Sequence, residues 1–129
     1  MIQFRSFTGI LGAMALVAVT GMAVAQGNAA AKFEGGMLVG QNGMTLYTFD
    51  KDPAGTGKSV CNGPCAANWP PLAAGSDAQP GGDYSVIVRD DGSRQWAFKG
   101  KPLYYWSKDQ KPGDRTGDGF NGVWHVVSQ

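Results

Sequence analysis

The sequence predicts a mainly β fold: a small antiparallel β domain built from two related hairpin-plus-loop repeats, with at most one short helical turn near Pro64–Asn68. Three observations predict it. The phrase Leu46-Tyr47-Thr48-Phe49-Asp50-Lys51-Asp52 returns 57 residues later as Leu103-Tyr104-Tyr105-Trp106-Ser107-Lys108-Asp109, with Gly43 and Gly100 three residues ahead of the leucine in each copy. A repeat of that length is one supersecondary unit used twice. Turn signals separate short apolar runs in both copies, and no window sustains a helical period.

The chain opens on a segment expected to be removed. Arg5 supplies a basic start, Ile10 to Val24 carries no charge, and Ala23-Val24-Ala25 offers small residues where a signal peptidase reads. Residues 1–25 therefore read as a secretory signal, cleaved before Gln26. The apolar run of about 15 residues falls short of the ~20 that cross a bilayer. No cysteine stands near the cleavage point to take a lipid, so no stable membrane anchor is expected after cleavage. The product is expected in the periplasm or outside the cell.

Residues 26–32 are small and polar, a flexible arm. A single β domain is expected over 33–129: repeat one at about 36–72, a linker at 73–83, repeat two at about 84–128. In repeat one, Gly36–Val39 and Met44–Phe49 flank Asn42-Gly43, a strong hairpin signal because both residues tolerate positive φ. In repeat two, Arg94–Phe98 and Leu103–Trp106 flank Lys99-Gly100-Lys101-Pro102. Each returning strand ends at an aspartate, followed by a Gly-rich loop and then a tryptophan, Trp69 or Trp124. Pro64–Asn68 suits one helical turn, which Pro70-Pro71 ends. Tyr84–Arg89 and Val123–Val127 read as further strands, giving six or so in all.

Composition excludes some partners. Without Arg5, ten basic side chains balance ten acidic ones. A neutral chain with no basic cluster has no electrostatic hold on nucleic acid. Cys61 and Cys65, four apart, read as a local disulfide suited to an oxidising compartment. Closing so short a loop stabilises by about 2 kcal/mol in the chain-entropy account.

Taken together, Tyr47–Asp52, Tyr104–Asp109, Cys61-x-x-x-Cys65 and Trp69-Pro70-Pro71 resemble a bacterial family of secreted repeats, described as lipoproteins with a duplicated Tyr-x-(Phe/Trp/Tyr)-x-x-Asp motif. The motif positions are Tyr47, Phe49 and Asp52, and Tyr104, Trp106 and Asp109. The resemblance runs from about Met37 to Val127. It implies a secreted repeat of unknown function and carries no catalytic residues. This sequence departs from the lipoprotein description by lacking the lipidation cysteine.

The chemistry-bearing residues are few. His125 is the one histidine; it could serve as a base beside a carboxylate, yet no serine sits in a nucleophile-elbow context. One histidine with a disulfide cannot build a blue-copper site, and covalent haem lacks its motif. Asp114, Thr116 and Asp118 place oxygens at positions 1, 3 and 5 of an EF-hand-like loop, with Gly119 at 6 and His125 where the bidentate glutamate belongs. They form a candidate calcium site; no other cofactor is expected. Tyr47, Phe49, Trp69, Tyr104, Trp106 and Trp124 recur in matched positions and read as a core shared by the halves. Trp96, Tyr105 and His125 are candidate ligand-facing residues. The expectation is a secreted, non-enzymatic envelope module that binds an unknown envelope protein or a small ligand. A cation-binding structural or stress-associated envelope protein is the first alternative. A small enzyme using His125 with a carboxylate is the second.

Overall fold

The structure is a computed structural model that describes residues 29–129. The expected signal, and residues 26–28 of the expected arm, lie outside the described residues. Among the described residues seven strands form: β1 (Ala31–Glu34), β2 (Met37–Gly40), β3 (Tyr47–Phe49), β4 (Tyr84–Val88), β5 (Arg94–Phe98), β6 (Lys101–Pro102) and β7 (Trp124–Val126), with one α-helix, α1 (Pro64–Asn68), after β3 and a 3-10 turn at Phe120–Gly122 before β7. β1 begins at Ala31 and takes the last two residues of the expected arm. Among the described residues no helix is long and apolar enough to cross a membrane.

The local elements follow from local chemistry. Lys99 and Gly100 both have positive φ (51° and 81°), so β5 and β6 join through a two-residue turn whose twist matches the strands. The expected Asn42-Gly43 turn differs. Only Gly43 has positive φ (81°), while the Asn42 side chain accepts a bond from Met44 N (3.0 Å). The loop is one residue longer than its counterpart, so a side chain takes over part of the turn's bonding. In α1, Pro64 stands in the first turn, where a missing N–H costs nothing. Trp69 N closes the helix on Cys65 O (2.8 Å), and Pro70 prevents continuation. Cys61 and Cys65 are joined by a disulfide across the start of this turn.

Each half starts as a hairpin but finishes in the other half's sheet. β1 pairs with β2, and Leu46 N donates to Leu38 O (3.0 Å). At Tyr47 the chain leaves this hairpin, and β3 pairs antiparallel with β7. The residues after β7 then close on β2, through Leu38 N to Val127 O and Gln129 N to Gly36 O (both 2.9 Å). The second half mirrors this. β4, β5 and β6 form a sheet, and Leu103 N donates to Trp96 O (3.0 Å). The segment after α1 joins it through Leu72 N to Leu103 O (2.9 Å), Trp96 N to Leu72 O (2.9 Å) and Ala74 N to Arg94 O (3.0 Å). Residues 69–74 thus serve the second half, and residues 124–129 the first.

The approximate two-fold axis of this exchange passes between Tyr47 and Tyr104. Each donates its N–H to the other's carbonyl (2.8 and 2.9 Å). Their side chains cross as well. Tyr47 Oη donates to Asp109 Oδ2 (2.6 Å), and Tyr104 Oη donates to Asp52 Oδ2 (2.5 Å). The second carboxylate oxygen holds the following loop: Asp52 Oδ1 accepts from Val60 N (2.8 Å), and Asp109 Oδ1 from Thr116 N (2.9 Å) and Oγ1 (2.6 Å). The motif aspartates are therefore buried acceptors that receive donors from both halves.

Two apolar clusters flank this centre. Leu38, Leu46, Leu72, Trp96 and Leu103 form one, drawing on both halves. The other is a column of rings. Phe49 stacks on Trp124 (4.3 Å between centroids), Trp124 on Trp69 (3.8 Å, planes 1° apart) and Trp69 on Trp106 (3.9 Å). Tyr47 meets Trp69 edge-on (5.3 Å) and Tyr104 meets Trp124 likewise (5.1 Å). The matched aromatic residues therefore do form the shared core.

Two outcomes follow from the exchange. Fragments divided within residues 75–83 should each stay unfolded alone and regain native near-UV circular dichroism when mixed; a half that folds unaided would contradict the shared core. Alkaline stability supplies the second. Burial, then the bond to Asp52, pushes the Tyr104 phenol from 10.0 up to about 12, and burial likewise raises Tyr47. The folded state thus holds a proton that the unfolded state releases. This contribution to stability is complete below pH 10.0 and is lost as pH rises toward about 12. Tyr104→Phe should lose about 1–3 kcal/mol at neutral pH, because Asp52 keeps one donor fewer, and should show a shallower alkaline decline in urea titrations.

Candidate functional site

The pairing of β3 with β7 sets Thr48 opposite His125. Strand alternation carries Asp50 to the face of Thr48, and Asp50 N is held on Val123 O (2.8 Å). The result is a pair that spans the two halves: His125 Nε2 to Asp50 Oδ2 at 2.8 Å, both side chains 44% exposed. Beside it opens a cleft of about 360 Å³. Thr48 and Asp50 come from the first half; Phe98, Lys99, Lys101 and residues 126–128 come from the second.

The two lysines are positioned by their turn. Gly100 O accepts from Gly55 N (2.9 Å), and a Cβ at Gly100 would stand 2.8 Å from that nitrogen. Glycine is therefore needed for the close approach as well as for its φ. Lys99 N is fixed on Asp83 O (2.7 Å), and its ammonium lies 5.4 Å from the Phe98 ring centroid. Neither Lys99 nor Lys101 forms an ion pair among the described residues. The cleft thus combines two ammonium groups, an imidazole and one carboxylate over a partly apolar wall. Such a surface suits a small anion with an apolar body.

A second cleft of about 500 Å³ is lined by Asn62, Gly63, Ala66, Pro71, Asp90, Asp91 and Ser93, with Arg89 at its base. Its polar groups bond one another. The buried Arg89 guanidinium donates to Gln95 Oε1 (2.7 Å), Ser59 Oγ (3.1 Å), Asn62 Oδ1 (3.2 Å) and the Cys61 carbonyl. Asp91 accepts from Ser93 N and Oγ (2.9 and 2.6 Å), which holds its carboxyl below the usual range. Asn62 Nδ2 reaches Asp90 (3.3 Å). The larger cleft therefore offers fewer free groups than the smaller one.

The other candidate residues separate. Trp96, expected to face a ligand, is instead only 2% exposed, because its place on β5 turns it into the leucine cluster. Tyr105 is half-buried and packs against Gly40, where a Cβ would stand 2.2 Å from its hydroxyl; burial raises its pKa. The candidate cation residues have separate partners. Asp114 accepts from Gln110 N (2.9 Å), Lys111 N (3.2 Å) and Lys111 Nζ (3.0 Å), bonds that lower its pKa. Thr116 bonds Asp109, and Asp118 accepts from Val126 N (3.1 Å). None of the three lines the His125 cleft. The lysines of the cleft were missed from sequence, although the Lys99-Gly100-Lys101 turn was itself legible. Arg89, Ser59 and Gln95 gave no signal, because nothing local marks a strand-end arginine as buried.

A family model described as a secreted repeat of unknown function matches residues 29–73 and 85–128. The chain belongs to this family of secreted repeats. Comparison with curated proteins and with solved structures gives no match. The two matched segments end at Ala73 and Ser128, which occupy equivalent places: Ala73 bridges Gln95, and Ser128 bridges Met37. Each copy of the secreted repeat therefore includes the strand it lends to the other.

Because the His125–Asp50 pair is open to solvent, it contributes little to stability. His125→Ala should change the unfolding free energy by no more than about 1 kcal/mol, measured by urea denaturation, which leaves the residue open to replacement in binding assays.

Proposed function

We propose that this secreted repeat is a non-enzymatic module, acting in the periplasm or outside the cell after removal of residues 1–25, that binds a small anionic ligand in the cleft beside His125. The observation that carries the reading is the convergence of Lys99, Lys101 and His125 on a cleft of about 360 Å³ whose walls come from both halves. Phe98, Val126 and Val127 supply apolar surface, and Ser128 and Thr48 supply hydroxyls. The disulfide suits an oxidising compartment.

A hydrolytic use of His125 with Asp50 is the second reading, supported by the 2.8 Å pair. In such chemistry the other ring nitrogen faces a nucleophile. Among the described residues no hydroxyl bonds to it, so ligand binding is the better-supported use of the cleft.

The test is a titration of the ¹⁵N-labelled protein with a panel of small mono- and dicarboxylates and inorganic phosphate, followed by NMR. Shifts should concentrate at Thr48, Phe98–Lys101 and Val126–Ser128, and weaken as salt rises. Lys99→Gln with Lys101→Gln should weaken binding about tenfold or more, the loss of a charge-assisted contact. Shifts scattered over the surface, or none at millimolar ligand, would overturn the reading.

A further inference from the structure

The ring column and the two tyrosine–carboxylate bonds form one connected assembly that ligand binding does not use. Trp124, Trp69 and Trp106 stack at 3.8 and 3.9 Å, close enough for their π-systems to overlap. Tyr47 abuts Trp69 and Tyr104 abuts Trp124. Each tyrosine hydroxyl already donates to a buried carboxylate, Asp109 or Asp52. Tyr104 Oη spends its single proton on Asp52, so Ser59 Oγ donates to it (2.5 Å) and is in turn bonded by Arg89. At one end of the column Phe120 is 41% exposed and lies on Trp106 (5.0 Å). Gly117 leaves room there, since a Cβ would stand 2.6 Å from Trp69 and 2.9 Å from Trp106.

We infer that this assembly is a one-electron relay: an oxidant at the Phe120–Trp106 face removes an electron from the tryptophan stack, and Tyr47 or Tyr104 refills it while passing its phenolic proton to Asp109 or Asp52. An oxidised phenol is a strong acid, and a buried one without an acceptor would be left with an uncompensated charge. The crossed hydrogen bonds supply that acceptor in place. The balance is simple. The oxidant, a radical or metal complex of high potential, gains one electron. The tryptophan returns to its neutral state. Tyr47 becomes a neutral phenoxyl radical, and Asp109 a neutral acid. A thiolate donor then returns one electron, leaving a thiyl radical, and Asp109 gives the proton back to the phenolate. Tyr84 and Tyr105 lack this arrangement: Asp83 acts on Tyr84 only through space, and Tyr105 bonds Asn42.

The experiment is flash-quench oxidation of the disulfide-bonded protein by photogenerated tris(bipyridine)ruthenium(III), read by transient absorption and electron paramagnetic resonance. A tryptophanyl radical should convert to a tyrosyl radical, more slowly in deuterium oxide. Tyr47→Phe with Tyr104→Phe should lose the tyrosyl signal and keep a longer-lived tryptophanyl one; Tyr84→Phe with Tyr105→Phe should lose neither. Near-UV circular dichroism checks the fold, and the single Tyr47→Phe and Tyr104→Phe variants, each losing part of the signal, serve if the double variant unfolds. A native protein that yields no tyrosyl radical, or a signal that disappears with Tyr84 and Tyr105 instead, would overturn the relay. The cleft beside His125 plays no part in this readout.

Discussion

Two hydrogen bonds crossed between the halves, Tyr47 to Asp109 and Tyr104 to Asp52, are the constraint on which the rest depends. A buried carboxylate is costly unless donors surround it. Asp52 takes one donor and Asp109 two from its own loop, and each takes another from the opposite half, so neither half can bury its aspartate alone. The backbone pairing of Tyr47 with Tyr104 fixes the register of this exchange. The stacked indoles then fill the space between the crossed pairs, since burial of such rings is the largest apolar gain available to a small domain.

Around that centre the halves have diverged where the constraint allows it. Behind Tyr104 stand Ser59, the buried Arg89 and the Cys61–Cys65 disulfide. Behind Tyr47 a loop takes that place: Gly117 N donates to Tyr47 Oη (3.2 Å), and Thr116 donates to Asp109 through both its N–H and its hydroxyl. The positive charge of Arg89 is one reason Asp52 can remain an acceptor there. Burial still outweighs that charge and raises the Asp52 carboxyl above its usual range. The common need is a donor for each tyrosine oxygen and each carboxylate, and the two loops meet it by different chemistry.

The His125 cleft shows how much of the site was legible. His125 stood out as the one histidine, and its pairing with a carboxylate was among the readings of the sequence. Its partner is Asp50, 75 residues away, within the first copy of the repeated phrase. Lys99 and Lys101 belonged to a recognisable turn, but their convergence on β7 requires the exchanged strand. The Asp114–Asp118 spacing resembles a cation loop, yet its two carboxylates accept from N–H donors and Thr116 Oγ1 donates to Asp109. Short polar side chains in Gly-rich loops bond locally first.

The repeat, the β class, the Pro64–Asn68 turn and the aromatic core were set by local pattern, because periodicity, turn residues and ring content act over a few neighbours. The exchange of final strands was not, although it decides which residues meet. The alternation of apolar and polar residues in each copy is compatible with strands returned or strands swapped. What separates them is where the Tyr47 and Tyr104 hydroxyls find an acceptor, and that is a matter of long-range geometry with no signature in either copy read alone. The same geometry buried Trp96, left His125 at the surface and brought the Lys99–Lys101 turn beside it.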